Sequence, residues 1–256
     1  MKANKNFLVF VAAGLAAIAI SSAALCYGKG YVVYTANTKK RKLPIYGVER
    51  EDNSLSISFD CAWGTDYTDK ILDALDFYEV KCTFFAVEFW VEKYPEYVKK
   101  IIERGHEIGT HSKTHPKMSK LSRGEIEEEL KSSVSAIEKI TGKPVRLFRP
   151  PFGDYDDEVI SVAESLNLFT VQWNVDSLDW KNLSAEQIAS RVIKKATAGS
   201  IILMHNNGLH TLESLPLIFT ATQAKGLVYR PISELIYTDD YRITTDGTQI
   251  KNKNGE

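Results

Sequence analysis

The chain has 256 residues, of which 25% are charged and 44% hydrophobic, and its formal net charge at pH 7 is −1. This composition suits one globular domain of ~200 residues with short appendages. Because lysine and arginine nearly balance aspartate and glutamate, the charge gives no support for nucleic-acid binding or for broad capture of an acidic polymer. The three cysteines provide no disulfide framework.

The first 28 residues predict a membrane anchor or a signal segment. Lys2 and Lys5 precede an uncharged run over residues 7–27, which is long enough to cross a bilayer as one transmembrane helix. A basic start is also a feature of secretory signals, but the apolar run exceeds their usual core and favours an uncleaved anchor. Residues 29–42 form a basic linker. We expect the domain that follows to lie outside the cytoplasm, since long domains are translocated largely regardless of loop charge.

From residue 43 to residue 237, apolar strand-like runs alternate with amphipathic helices. Strands are predicted at residues 43–48, 55–59, 82–87, 106–109, 145–148, 169–175 and 200–204. Helices are predicted at residues 67–78, 95–104, 122–142, 157–166, 184–198, 211–225 and near 236. Repeated strand–helix units predict a parallel α/β sheet or barrel. The polar tail, residues 238–256, is expected to hold a small hairpin near Asp246 and is assigned no function.

Polar side chains with catalytic chemistry follow the strands at their carboxyl ends. Asp60, Arg149 and His205 each come directly after an apolar run. Barrel and open-sheet enzymes build their sites at these ends, so the coincidence is the strongest physical argument for an enzyme. A nucleotide site is not expected, because the first strand is followed by neither a Gly-x-Gly-x-x-Gly motif nor a phosphate-binding loop.

His111 and His115 follow another strand and are closed off by Pro116. Imidazole is the commonest metal ligand in proteins, so the pair is a candidate for two of three protein ligands of a divalent metal, with zinc expected. Taken alone, the pair is also explained as two surface or capping histidines.

The other polar residues suggest acid–base roles. Arg149 beside Asp60 would keep that carboxylate ionised, and Asp179 would orient His205 and favour its protonated form. Together with a metal, these groups would make a hydrolytic site. For Asp60 alone, capping of the next loop is an equally simple explanation.

Over residues 55–231 the chain resembles the polysaccharide deacetylases with a NodB-homology domain, carbohydrate esterase family four. Five motifs stand in the family's order: Ser58-Phe59-Asp60-Cys61, His111 to His115, Arg149-Pro150-Pro151-Phe152-Gly153, Asp179-Trp180 and Leu203-Met204-His205. The resemblance implies a distorted (β/α) barrel of the NodB-homology type. It also implies metal-dependent N-deacetylation of N-acetylhexosamine units in a cell-wall or spore-envelope glycan, with release of acetate.

The resemblance also implies roles for single residues. Asp60 would be the general base, positioned by Arg149, and His205 the general acid, oriented by Asp179. His111 and His115 would bind the metal. The residues implied to contact substrate are Phe152, Trp180 and Leu203. A hydrolase of another amide or ester, using the same groups, is a weaker alternative.

Cys61 departs from the family pattern, which has a metal-binding aspartate at this position. Three outcomes are open: a zinc site of Cys61 and the two histidines, a two-histidine site completed by water, or no functional metal. Simple burial of the thiol is the competing explanation. Residues 61–64, the entry strand and the N-terminal apolar segment are similar to the PdaB-like sporulation subgroup, which lacks that aspartate. The alternative function is therefore a catalytically silent relative that binds glycan or a partner during spore-envelope assembly.

Overall fold

The computed structural model describes residues 41–252 of the chain. The predicted anchor, residues 1–28, and most of the predicted linker lie outside this range. Within it, no helix has both the length and the apolar character that a bilayer crossing requires.

A parallel sheet organises the domain. The first strand of the chain, β1 (Gly47–Val48), lies outside this sheet. The strands of the sheet are β2 (Ser54–Cys61), β3 (Thr83–Ala86), β4 (Glu107–Thr110), β5 (Leu147–Phe148), β6 (Phe169–Thr170), β7 (Val175–Asp176), β8 (Ile201–His205) and β9 (Val228–Tyr229). The eight-stranded sheet runs in the order β6-β5-β4-β3-β2-β8-β7, with β9 added beside β2. Among the described residues, the strands β6 and β7 at the two ends of this order do not pair with each other, so the sheet does not close. The structure is therefore a half-barrel rather than the barrel that the sequence predicts.

Helices cover the outer face of the sheet. They are α1 (Thr68–Phe77), α2 (Glu88–Lys93), α3 (Pro95–Glu103), α4 (Arg123–Thr141), α5 (Asp157–Ser165), α6 (Ala185–Lys195), α7 (Thr211–Ala224) and α8 (Ile232–Leu235). Both predicted capping boxes are present, at Ser122 with Glu125 and at Ser184 with Gln187. Short α2 was not predicted, because its residues continue the apolar run of β3 and show too few turns for a helical period.

The run predicted as one strand at residues 169–175 is divided between two strands, β6 and β7. The entry segment explains the break, since Ile45 pairs with Val171 at this point and accepts a hydrogen bond from the amide of Gln172 at 2.7 Å. Asn174 then bonds to the amide of Ile201 through its side-chain oxygen, at 3.0 Å. These long-range contacts end the first strand before the second begins.

The C-terminal tail forms the predicted hairpin from β10 (Tyr241–Ile243) and β11 (Thr248–Lys251). The hairpin also pairs with β1, in parallel with β11, which makes a separate three-stranded sheet. The buried Gln249 side chain bonds both the amide and the carbonyl of Tyr237. The tail is therefore packed against the domain rather than free of it.

The central strand β2 separates two environments. Successive side chains on a strand point to opposite faces. Phe59 and Cys61 belong to the apolar core beneath the helices, whereas Asp60 lies on the other face, where the candidate site is built. In register, Asp60 lies beside His205 of β8.

Candidate functional site

A cavity of about 660 Å³ opens at the carboxyl ends of the central strands. Of the residues singled out in the sequence, those lining it are Asp60, His111, His115, Phe152, Asp179, Trp180, Leu203 and His205. Arg149 reaches the same place from behind Asp60, while Cys61 does not line the cavity. A second cleft, of about 690 Å³, lies between α2, α3 and α4 and contains none of these residues.

Asp60 and Arg149 form a buried ion pair beneath the cavity. Arg149 Nη1 donates to Asp60 Oδ1 at 2.8 Å, and the two residues are 0% and 7% exposed. The guanidinium also lies 4.1 Å from the ring centroid of Phe85. Burial acts to raise the pKa of Asp60, but the positive charge of Arg149 outweighs it and holds that pKa below its ordinary value. Asp60 is therefore a carboxylate at neutral pH.

His111 is fixed in one tautomer by the backbone. Its Nδ1 donates to the Arg149 carbonyl at 2.7 Å, so the opposite nitrogen, Nε2, carries the lone pair and faces Asp60 Oδ2 at 3.5 Å. Burial lowers the pKa of His111 and overcomes the attraction of Asp60. The close contact is therefore made by a neutral ring and is not an ion pair at pH 7.

His115 stands beside His111, with ring centroids 4.9 Å apart and the rings nearly perpendicular. Burial and the neighbouring His111 lower the pKa of His115 to about 4. Both imidazoles are thus neutral at physiological pH, which is the state in which histidine binds metals.

Glu129 of α4 holds the loop between the two histidines. Its carboxylate accepts hydrogen bonds from the amides of Lys113 and Thr114, at 2.9 and 2.8 Å, and from the Thr114 hydroxyl at 2.6 Å. Ser112 and His115 have φ values of 72° and 59°, in the left-handed region that non-glycine residues seldom adopt. The Glu129 bonds and the bond from the His115 amide to Ser112 Oγ stabilise this conformation.

His205 is bound to Asp179 by two contacts. Its Nδ1 and its amide both donate to the Asp179 carboxylate, at 2.7 Å each, and Thr211 Oγ1 donates to the same carboxylate at 2.6 Å. Burial acts against the charged ring, but the bond to buried Asp179 outweighs it and raises the pKa of His205 above its ordinary value. His205 lines the cavity with a raised pKa, which favours the protonated ring that can give up a proton.

Phe152, Trp180 and Leu203 surround the cavity. Leu203 is buried, whereas Phe152 and Trp180 are 65% and 56% exposed. The Phe152 ring lies 4.6 Å from that of His115. The backbone of Phe152 is in the left-handed region, with a φ of 58°. Strained backbone at residues of this kind is common in functional sites, where the surrounding fold holds it in place.

The sequence of this chain is similar to those of known deacetylases. A family model for polysaccharide deacetylases matches residues 47–171. A peptidoglycan-N-acetylglucosamine deacetylase from Bacillus cereus is 33% identical over 74% of this chain and 91% of its own length.

The chain belongs to the polysaccharide deacetylase family. This confirms the resemblance drawn from the five motifs.

Two other relatives of this family member carry no deacetylase activity in their names. The uncharacterized protein YlxY from Bacillus subtilis is 37% identical over 75% of this chain, and the match spans 60% of YlxY, less than two thirds of its length. A CE4 family pseudoenzyme from Bacillus anthracis superposes with a TM-score of 0.73 at 35% identity, covering 75% of this chain and 68% of the pseudoenzyme. Family membership therefore does not by itself establish activity.

A three-ligand metal site does not fit the side chains of this family member. His111 and His115 supply two neutral imidazoles. Cys61, the candidate third ligand, is fully buried in the core with its thiol 3.8 Å from the Phe59 carbonyl oxygen. Burial raises the pKa of Cys61 well above its ordinary value, so it is a thiol and not a metal-binding thiolate. Within residues 41–252, no three His, Cys, Asp or Glu side chains form a group that could hold a metal.

The motifs of the polysaccharide deacetylase family do not account for the whole cavity. Further lining residues are Ala62, Trp63, Trp173, Asp176, Asn182, Asn206, Asn207, Gly208 and Leu209. Asn206 and Asn207 directly follow His205, a position that could have drawn attention to them in the sequence. Glu129 and Thr211 gave no such signal, because they act on the site through contacts between distant segments.

Proposed function

We propose that this chain removes acetyl groups from N-acetylhexosamine units of a peptidoglycan-like cell-wall glycan, as the Bacillus cereus relative is named to do. The observation that carries the proposal is the pairing of Asp60 and His205 across neighbouring strands. The pKa of Asp60 is lowered and the pKa of His205 is raised, and both side chains lie on the same face of the sheet and line the same cavity. A hydrolysis that needs both a base and an acid can use this pair.

In the proposed reaction, Asp60 takes a proton from a water molecule as the water oxygen bonds to the acetamide carbon. The carbon–nitrogen bond then breaks while His205 gives its proton to the leaving nitrogen, which yields acetate and a free amine on the sugar. Arg149 keeps the base ionised, and Asp179 orients the acid. Metal-dependent chemistry is a property of the family that the side chains of this chain do not reproduce, so no step is assigned to a metal.

The remaining predicted residues suit binding of the acetamido group. Leu203 and Trp180 line the same cavity and would contact the acetyl methyl. The backbone amide of Phe152 is the proposed donor to the negatively charged oxygen that forms when water adds to the carbonyl.

Acetate release tests this function. The full-length chain is incubated with N-acetylglucosamine oligomers and with peptidoglycan, once with added zinc and once with a chelator, and acetate is measured enzymatically. We expect release by the wild type and a loss of at least about a hundredfold in Asp60→Asn and in His205→Gln, the scale of a lost acid or base. Arg123→Met, at an exposed ion pair, is the control. Equal acetate release by wild type and both variants would contradict the proposal.

A second function is favoured by one observation, the burial of Cys61 where the family pattern has a metal ligand. The chain would then bind glycan, or a partner in envelope assembly, without cleaving it, as the similarity to a pseudoenzyme allows. Glycan binding without acetate release, with or without added zinc, is the expected result, and acetate release by the wild type would contradict it. A mutant of that pseudoenzyme has restored enzymatic activity, so the absence of activity in such a relative can be reversed by substitution.

The proposed setting is outside the cytoplasm of a Gram-positive spore former, with the chain anchored through residues 1–28. Support comes from the apolar run in the sequence and from relatives that are named for peptidoglycan. Zinc is the proposed metal, held by His111 and His115. Protease treatment of intact cells tests the location, and metal analysis of the purified chain, beside His115→Ala, tests the metal.

A further inference from the structure

Exposed aromatic side chains are concentrated around the cavity. Eight large hydrophobic side chains are markedly exposed among the described residues. Five of them lie at or beside the cavity mouth: Trp63, Phe89, Phe152, Trp180 and Leu209. Exposed apolar groups gathered in one patch usually mark a binding surface.

Two of these residues extend beyond the cavity. Trp63 is 61% exposed and lines the cavity, and its ring lies 5.2 Å from that of His115. Phe89, at the start of α2, is 37% exposed, its ring lies 6.5 Å from that of Trp63, and it is not among the residues that line the cavity. We call these two side chains the aromatic shelf.

The aromatic shelf has a rigid base. The Gly64 carbonyl, next to Trp63, accepts hydrogen bonds from Trp90 Nε1 at 2.8 Å and from Asn206 Nδ2 at 2.9 Å. Trp90 is fully buried and directly follows Phe89 in the chain. One hydrogen bond thus joins the two segments that carry the shelf, and a second joins them to the residue after His205. Pre-ordering of this kind reduces the entropy lost on binding.

Polar side chains stand beside the shelf. A Cβ on Gly64 would lie 3.0 Å from Asp66 Oδ2 and 3.3 Å from Asn207 Nδ2, so both side chains are adjacent to the loop that carries Trp63. Flat apolar rings next to hydrogen-bonding groups match a pyranose, which has an apolar C–H face and hydroxyl groups at its edge. A lipid chain could not form hydrogen bonds with these polar groups.

We propose that the aromatic shelf is a second sugar subsite, which binds the pyranose ring next to the one whose acetamido group enters the cavity. This inference rests on the proposed function, because it takes the glycan polymer as the ligand. Trp63 would contact both sugar rings, since it lines the cavity and also faces Phe89. Phe89 would contact only the neighbouring ring. The shelf would thus make the chain select polymers over single sugars.

Binding of N-acetylglucosamine oligomers of increasing length to the full-length chain tests the shelf by calorimetry. We expect Phe89→Ala to weaken binding of the pentamer about fivefold to tenfold, the scale of one aromatic contact, and to leave binding of the shortest oligomer within about twofold. Trp63→Leu, which keeps an apolar side chain but removes the flat ring, should also weaken pentamer binding. Phe77→Ala, at a 79% exposed aromatic on α1, is the matched control and should change neither.

Three results would overturn the shelf, and they are distinguishable from one another. If wild type binds longer oligomers more tightly and Phe89→Ala keeps that preference, the subsite is absent while glycan binding stands. If wild type binds no oligomer of any length, the shelf and the proposed function fail together. An equal loss at every length in Phe89→Ala would also contradict the subsite, because it would point to a general disturbance of the cavity.

Discussion

Replacing Arg149 with methionine is expected to destabilise the fold through Asp60. Methionine keeps a long apolar stem beside Phe85 but removes the charge that pairs with the carboxylate. Arg149 is 0% exposed and Asp60 7%, so water cannot replace the lost partner. Removing one member of a buried ion pair costs about 3–5 kcal/mol, because the other charge is left uncompensated. The hydrogen bond of Arg149 to the Gln172 carbonyl, at 3.2 Å, is lost as well.

The effect should depend on pH. The pKa of Asp60 is depressed in the folded state, so the ion pair contributes stability above the ordinary aspartate pKa of about 4, and that contribution is lost as pH falls through the folded-state pKa. The difference between wild type and Arg149→Met is therefore expected to be largest near neutral pH and to shrink in acid. In the variant, burial acts unopposed by Arg149 and raises the pKa of Asp60.

Urea unfolding, followed by circular dichroism, measures this difference as a change in midpoint at constant slope. The double variant Asp60→Asn with Arg149→Met carries no uncompensated charge and should recover about 1–3 kcal/mol relative to the sum of the single changes. Arg123→Met is the matched control, since Arg123 and Glu158 are also 2.8 Å apart but are exposed; its effect should be far smaller. A loss below about 1 kcal/mol in Arg149→Met, or simple additivity in the double variant, would refute the reasoning.

Three further outcomes are expected. Glu129→Ala should lower the free energy of unfolding by about 2–4 kcal/mol in thermal unfolding, because the Glu129 carboxylate accepts three hydrogen bonds. Glu129→Gln can still accept both amide bonds through its side-chain oxygen and should retain most of the stability. Equal losses in the two variants would contradict this. Asp179→Asn should lower the pKa of His205, as measured by NMR. The loss of stability in this variant should be greatest below the ordinary histidine pKa of ~6.5 and should fade as pH rises through the raised pKa of His205. An unchanged pKa would argue against the pairing of Asp179 with His205. Cys61→Ala should leave zinc affinity in calorimetry unchanged, while His115→Ala should lower it, and a drop with Cys61→Ala would place the thiol at the metal.

The positions of the catalytic candidates could be predicted because they follow from strand ends. Asp60, Arg149 and His205 each terminate an apolar run, and in a parallel sheet such ends meet at one edge. The helix starts were equally accessible, since a capping box such as Ser122 with Glu125 is a local signal. Local patterns were thus sufficient for the α/β architecture and for the gathering of these polar groups.

The orientation of the Cys61 side chain could have been predicted from the sequence, but the family motif pointed to a different orientation. Adjacent residues in a strand face opposite sides, so once Asp60 faces the cavity its neighbour faces the core. The family pattern, with a ligand at this position, favoured the other interpretation. Period-two alternation within β2 is the stronger constraint on this side chain.

Other features depend on contacts between distant segments and leave no local pattern. Glu129 reaches the histidine loop from the middle of a helix, where an acidic residue normally suggests a solvated face. Phe89 and Trp63 are 26 positions apart in number and become neighbours only when α2 packs beside the end of β2. The division of residues 169–175 likewise needs Ile45, more than a hundred residues earlier in the chain.

The pairing of β2 with β8 has a consequence for how the chain matures. The hydrogen bond from Ser58 Oγ to the Ile202 carbonyl joins residues 144 positions apart, and the same ladder places Asp60 beside His205. During synthesis, a chain that has emerged only as far as α6 already contains the first four motifs. One side of β2, the strand between β3 and β8, is still unpaired at that stage. Asp60 and His205 come together only after the ribosome has added β8, so truncated products would be left with an unpaired central strand prone to self-association.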